Sequence, residues 1–216
     1  MTGPQREFGS VIDGLAARYD PEIAVFCALA DDVTNDSWDA LRALVGAGSG
    51  ALLFRRETLR APAGWQLVTS MTTRQMLGPP EREAGDDGEF AELSPADAPE
   101  MQALVARTRP GPFAARTHEL GTYLGYRDRG ALVAMAGVRM RCAGFREVSA
   151  VCTDDKYRGR GLASGLVRAV GARITATGDQ PMLHVLDENT GAIRVYEALG
   201  YKTRMTFEVS VYTAPE

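Results

Sequence analysis

Two stretches of this chain combine residue types and spacings that could do chemistry. The first is Val151-Cys-Thr-Asp-Asp-Lys-Tyr-Arg-Gly-Arg-Gly-Leu-Ala163. It passes from strand-like alternation through a polar turn and two glycines into apolar positions spaced by four: Leu162, Leu166, Val170 and Ile174. A strand, a glycine-rich turn and a helix N-terminus together form an anion site. Glycine lets the backbone approach, the free N–H groups of the first helical turn point at the ligand, and the helix dipole favours negative charge. Arg158 and Arg160 add fixed positive charge beside it. No lysine follows Gly161, which excludes a Walker A loop, and Ser164 stands where a dinucleotide loop carries its third glycine. The second stretch is Asn189-Thr-Gly-Ala192-Ile-Arg-Val-Tyr196-Glu-Ala-Leu-Gly200-Tyr201. Asn189 is a good N-cap, Ala192, Val195, Tyr196 and Leu199 share one helical face, and Gly200 suits the residue after the helix.

The pattern Arg-x-x-Gly-x-Ala at 158–163, followed by Asn-x-x-Ala-x-x-x-Tyr-x-x-x-Gly-aromatic from Asn189, resembles the two signatures of the GNAT superfamily of N-acyltransferases. The runs Arg116–Tyr126, Ala134–Gly137 and Ser149–Thr153 resemble a bacterial subgroup with glycine-N-acyltransferase-like C-terminal domains. The resemblance covers roughly 90–210. It implies a transfer of an acetyl or other acyl group from acetyl-coenzyme A to a primary amine by direct attack in a ternary complex. It also implies that Arg158, Gly159, Arg160, Gly161, Leu162, Ala163 and Ser164 grip the pyrophosphate, with Asn189 and Ala192 along the cofactor arm. In the family the strand at Val151, Cys152 and Thr153 splays from its neighbour, so its exposed edge pairs with the pantetheine and a backbone N–H, that of Val151, polarises the thioester. The alternative, from another class, is a coenzyme A-binding sensor or scaffold without turnover.

Acyl transfer to an amine also needs a proton donor for the thiolate and a base for the amine. Tyr196 fits the first role, because a phenol with a pKa near 10 is protonated at neutral pH; its other reading is packing on the apolar face of its helix. Two residues fit the second: Glu147, eleven positions before Arg158, and His184, five before Asn189. A relay through water with no dedicated base is the third option. His118, Glu119 and Tyr123 fall where acceptor-site residues often lie in the family. Cys152 could in principle carry an acyl group, but a free cysteine in a strand is more often a small buried hydrophobe.

The elements that must position these groups are legible from periodicity. Residues 1–88 suggest a strand at 23–29, a helix from about Asp31 to Val45, and strands at 51–55 and 65–71, forming an N-terminal extension or degenerate half-domain. Pro79 to Gly88 is proline- and glycine-rich and acidic, and reads as a linker. The second region, 89–216, starts with a strand at 90–93 and a helix capped by Ser94 and Asp97 that runs to about Thr108, followed by a helical turn within 113–119. Strands follow at 121–127, 130–142 and 145–153, then the loop helix, a strand at 181–186, the Asn189 helix and a strand at 203–212. Along 145–153, strict alternation places Phe145, Glu147, Ser149, Val151 and Thr153 on one face and Val148, Ala150 and Cys152 on the other. The implied class is α/β (α+β), a mixed and mostly antiparallel central sheet flanked by helices, the GNAT topology.

Composition bounds the function. The chain has 216 residues, 45% of them hydrophobic and 24% charged, which is ordinary for a globular protein. Residues 1–88 hold 8 Arg against 13 acids, whereas 89–216 hold 16 basic and 15 acidic residues, so the acidic excess lies away from the anion loop. No basic stripe suggests a nucleic-acid partner. Three scattered cysteines argue against a disulfide framework, and two histidines against a metal cluster. The N-terminus lacks a signal-peptide core and no apolar run is long enough to span a bilayer, so a cytoplasmic protein is expected; the resemblance implies a small-molecule or peptide amine as acceptor, with the chain a monomer or homodimer.

Overall fold

The computed structural model describes residues 3–80 and 90–216; the linker expected at 79–88 falls mostly outside them. The strands are β1 (Gly9–Ile12), β2 (Ala16–Tyr19), β3 (Phe26–Leu29), β4 (Gly50–Arg55), β5 (Gln66–Leu77), β6 (Ala91–Leu93), β7 (Tyr123–Asp128), β8 (Ala131–Cys142), β9 (Phe145–Thr153), β10 (Gln180–Leu186) and β11 (Lys202–Thr213). The helices are α1 (Asn35–Val45), α2 (Ala98–Thr108), α3 (Leu162–Ala176) and α4 (Thr190–Ala198). All eleven strands join one sheet, in the order β1-β2-β3-β4-β11-β5-β10-β9-β8-β7-β6. Only the β3–β4 and β9–β10 pairs are parallel.

The helices form where cap and stripe agree. Thr34 Oγ1 accepts from the Ser37 N–H and Ser37 Oγ from the Thr34 N–H, which satisfies the orphan donors at the start of α1. Trp38, Leu41 and Val45 then face the sheet. The Ser94 N–H donates to Asp97, whose carboxylate opens the turn into α2. In α3 the four positions predicted from spacing, Leu162, Leu166, Val170 and Ile174, are all buried. The helical turn expected within 113–119 forms at Thr117–Leu120, and the strand expected from residue 23 begins at Phe26.

One hairpin escaped sequence reading. β1 and β2 are joined through Asp13 and Gly14, both at positive φ, with the Leu15 N–H donating to the Ile12 carbonyl. Asp-Gly is the usual dipeptide of such a turn and was the available signal, but the short flanking strands alternate poorly.

The N- and C-terminal halves are interleaved. β5 lies between β10 and β11, pairing antiparallel with both, from Met182↔Leu77 to Leu186↔Thr73 on one side and from Lys202↔Leu77 to Thr213↔Gln66 on the other. Conversely β11 pairs with β4, and its Tyr212 completes the N-terminal core, with ring centroids 5.1 Å from Trp38, itself 4.9 Å from Trp65. Gln5 is a second tie. Its amide donates to the Arg139 carbonyl and accepts from the Arg141 N–H and the Tyr19 hydroxyl, at a part of β8 that lies beyond the reach of β7.

A chain starting at residue 89 would expose one edge of β10 and both edges of β11. We expect it to aggregate where the full chain stays dispersed, as measured by gel filtration and far-UV circular dichroism. A monodisperse, folded fragment would show that β5 is dispensable.

Candidate functional site

Two parallel strands that start together and separate create the site. β9 and β10 pair only at Gln180↔Phe145, Pro181↔Arg146 and Met182↔Glu147. Beyond that point β10 stays on β5 and β9 stays on β8, so no strand covers the β10-facing edge of residues 148–153. A bulge turns β9 at this place: Ala150 and Val151 lie opposite the single residue Ala136, and Ala150 takes φ 51°.

The bulge also corrects the alternation expected along β9. Val148 and Val151 both pack on the α3 side, whereas Cys152 joins the α2-side cluster of Met101, Leu104, Tyr123 and Met135. Glu147, next to Val148, points away from α3 toward Arg139, so Glu147 and Val151 do not share a face. An extra residue in the strand reverses every side chain after it. Cys152 is buried and burial pushes its thiol up to about 11, as suits a packed hydrophobe.

At the mouth of the splay the glycine loop meets α3. Gly159 and Gly161 hold φ 75° and 80°, with nothing within 4 Å of where a Cβ would sit. The first intrahelical bond is Gly165 N–H to the Gly161 carbonyl, which leaves the N–H groups of residues 159–164 without backbone acceptors among the described residues. Arg158 pairs with Asp155 at 2.9 Å, both side chains exposed, so a phosphate could displace the carboxylate at little cost. Arg160 lies over the Tyr157 ring, 4.8 Å from its centroid, and the Tyr157 hydroxyl donates to Asp128. Deeper in the cleft, the buried Thr153 hydroxyl has no partner. Open glycines, a run of free amides and an orphaned hydroxyl fit a pyrophosphate and an amide-bearing arm.

Tyr196 is held by the end of its own helix. Asn189 Oδ1 accepts from the Ala192 N–H at 3.1 Å and caps α4. Gly200, at φ 85°, reverses the chain, so the Gly200 N–H reaches the Glu197 carbonyl and the Tyr201 N–H reaches that of Tyr196. The Tyr201 ring then lies 6.1 Å from that of Tyr196. Burial pushes the Tyr196 phenol up to about 12.

Glu147 and His184, alternatives in the sequence, form one unit. The buried Glu147 carboxylate accepts from Arg139 Nε at 2.9 Å and Nη2 at 2.8 Å, and His184 Nδ1 lies 2.9 Å from Glu147 Oε1. Burial alone would raise the Glu147 pKa, but the Arg139 charge and the hydrogen bonds from His184 and Arg139 outweigh it and hold the carboxyl well below its usual range. The other His184 nitrogen faces Gln75 of β5, and the ring stands edge-on to Phe54 and Phe207. Gln75 had no signal in the sequence, because its place beside His184 depends on β5 entering the sheet next to β10.

The three acceptor-site candidates are dispersed. Glu119 is tied by both oxygens to Arg116 on the surface, at 2.8 Å each, beside Asp20 and Glu22. Tyr123 is buried, with its hydroxyl unpartnered and its ring over Gly137. His118 has a buried, unpartnered Nδ1. A cleft of about 470 Å³ lies elsewhere, between β1, β2 and Arg116, and contains none of the loop residues. Among the described residues no cluster of His, Cys, Asp or Glu is placed to hold a metal, and no helix is long and apolar enough to cross a membrane.

Residues 123–210 match the family model of FR47-like proteins. A solved structure assigned to the GNAT family of acetyltransferases, from Novosphingobium aromaticivorans, is 36% identical, with a TM-score of 0.90 over 99% of this chain and 94% of that one. A GCN5-related N-acetyltransferase from Kribbella flavida shares the fold at 18% identity, with a TM-score of 0.60 over 95% of this chain and 89% of its own. The mycothiol acetyltransferase of Thermobispora bispora is 45% identical over 64 residues, which are 29% of this chain and only 21% of that enzyme.

Replacing Glu147 by Gln should cost about 3–5 kcal/mol, because it leaves the buried Arg139 cation uncompensated. The sign with pH follows from the lowered carboxyl. The stability contributed by the folded-state carboxylate is complete above the ordinary value near 4.5 and is lost as pH falls below it. Denaturant titrations between pH 7 and pH 3 should therefore show a shallower acid loss in Glu147→Gln than in the parent; equal slopes would refute the buried pair.

Proposed function

The chain belongs to the GNAT superfamily of N-acetyltransferases, and from that premise we propose that it moves an acetyl group from acetyl-coenzyme A to a primary amine by direct attack in a ternary complex. The observation that carries this reading is the separation of β9 from β10 directly beside a loop with six consecutive unpaired amides. The amides of 159–164, with Arg158 and Arg160, hold the pyrophosphate, and Asn189 and Ala192 flank the arm. The free edge of Val151 to Thr153 receives the pantetheine as an added strand would. Acetyl-coenzyme A supplies the activated thioester.

The backbone at Val151 polarises the carbonyl, in a place where no protein strand competes for its edge. Tyr196 protonates the departing thiolate; a phenol pushed up to about 12 keeps its proton throughout the physiological range. His184 takes the proton from the amine. Glu147 does not, because a carboxyl held well below its usual range by Arg139 and His184 is a weak base; its part is to orient His184 and to balance the imidazolium as it forms. Tyr123 flanks the same face of the sheet.

Thiol release measured with acetyl-coenzyme A across a panel of amines, amino acids and peptides tests the activity, and silence across the panel with cofactor bound would overturn it. In the same assay Tyr196→Phe should lower kcat by about 10²–10⁴-fold, the usual worth of a positioned acid, while calorimetry finds cofactor affinity nearly unchanged. Gly161→Val should do the opposite, weakening cofactor binding, because a branched residue is strained at φ 80° and narrows the approach to the amides.

A further inference from the structure

Gln75 lies on β5 and Arg204 on β11, at the one place where β11 carries an extra residue between Thr203↔Met76 and Met205↔Gln75. That bulge brings the Arg204 guanidinium to 2.8 Å from Gln75 Oε1. Gln75 Nε2 lies 3.1 Å from His184 Nε2, and His184 Nδ1 lies 2.9 Å from Glu147 Oε1. Each hydrogen bond in this row has only one sense. Arg204 is purely a donor, so it claims the amide oxygen of Gln75 and turns the NH₂ group toward the ring. The NH₂ is purely a donor in turn, so the ring nitrogen it meets must be the bare one. His184 therefore carries its proton on Nδ1, donated to a carboxylate that Arg139 keeps ionised.

The geometry points to Gln75 and Arg204 as positioning residues that lock His184 in the neutral Nδ1–H tautomer, with Nε2 kept unprotonated and its lone pair held by the Gln75 NH₂, which the incoming amine displaces. Flipping Gln75 would offer its oxygen to an imidazolium, but would place its NH₂ against the Arg204 guanidinium, donor against donor. The charged groups facing His184 are Glu147 from β9, Arg139 behind it on β8, and Arg204 from β11; β4 and β11 add only the uncharged Phe54 and Phe207. Through β5 the N-terminal region contributes a side chain to the site, which gives residues 1–88 a part in the reaction beyond scaffolding. The argument rests on His184 as the base of the proposed function.

The chain has only two histidines, so ¹⁵N ring spectra of the full-length protein, with His118→Gln to assign the other ring, read the tautomer directly. At neutral pH His184 should show a protonated Nδ1 and a bare Nε2; the reverse tautomer or a doubly protonated ring overturns the lock. Arg204→Leu removes an exposed side chain and frees Gln75 to turn. It should mix the tautomers and move the acidic limb of the kcat/KM–pH profile upward by about one unit, a tenfold loss on that limb. Gln75→Glu, with an acceptor fixed at the same place, should move the limb further in the same direction. Unchanged ring spectra and an unchanged limb in both variants would refute the assignment. Full turnover in His184→Gln would instead remove the base from the proposed function, while the spectra still decide the lock.

Discussion

The structure depends on one incompatibility: β9 and β10 begin as a parallel pair and cannot continue as one. At Met182↔Glu147 the pairing stops: β10 continues along β5, β9 continues along β8, and the bulge at Ala150 turns β9 away. Backbone groups left unpaired in a protein interior are costly unless a ligand or water satisfies them. Among the described residues no strand pairs with the β10-facing edge of β9 beyond Glu147, and the loop of 159–164, with its free amides, follows that edge. The bulge at Ala150 carries the strand away from its neighbour; the buried Glu147–Arg139–His184 group marks the point of divergence on the opposite face.

Burying that charged group is costly unless every partner is in place. Glu147 has Arg139, the Met140 N–H and His184; His184 has Gln75; Gln75 has Arg204. A chain of donors and acceptors with no free choice of direction specifies a single arrangement, whatever its net contribution to stability. Four strands supply it, β8, β9, β10 and β5, with β11 closing the row. The group therefore links the halves of the protein as firmly as Tyr212 does when it enters the N-terminal core from the last strand.

The insertion of β5 between β10 and β11 has a mechanical consequence. Neither half owns a complete sheet, because β5 from the first region separates β10 from β11 of the second. Aromatic contacts around His184 come from β4 and β11, again from both halves. The loop of 158–164, by contrast, has its geometry set locally by two glycines and one helix start.

By itself the sequence determined the local chemistry: both motifs, the caps of α2 and α4, the buried stripe of α3, and nearly every strand of the second region lay where spacing put them, while α1 begins at Asn35 rather than near Asp31. These features depend on periods of two and 3.6 residues and on residues with restricted backbone angles, which act over a turn or two. The β1–β2 hairpin was missed for want of alternation, and the faces of β9 were misread because one inserted residue at Ala150 reverses them without leaving a mark in the composition. Glu147 and His184, indistinguishable as bases in the sequence, are separated only by their partners: Arg139 takes the carboxylate, and Gln75 takes the ring. Both partners are brought there by strand order and by bulges in β8 and β11, and strand order is settled by packing between residues more than a hundred positions apart, such as Gln75 and His184. No local period encodes that, so the tertiary structure alone decided it.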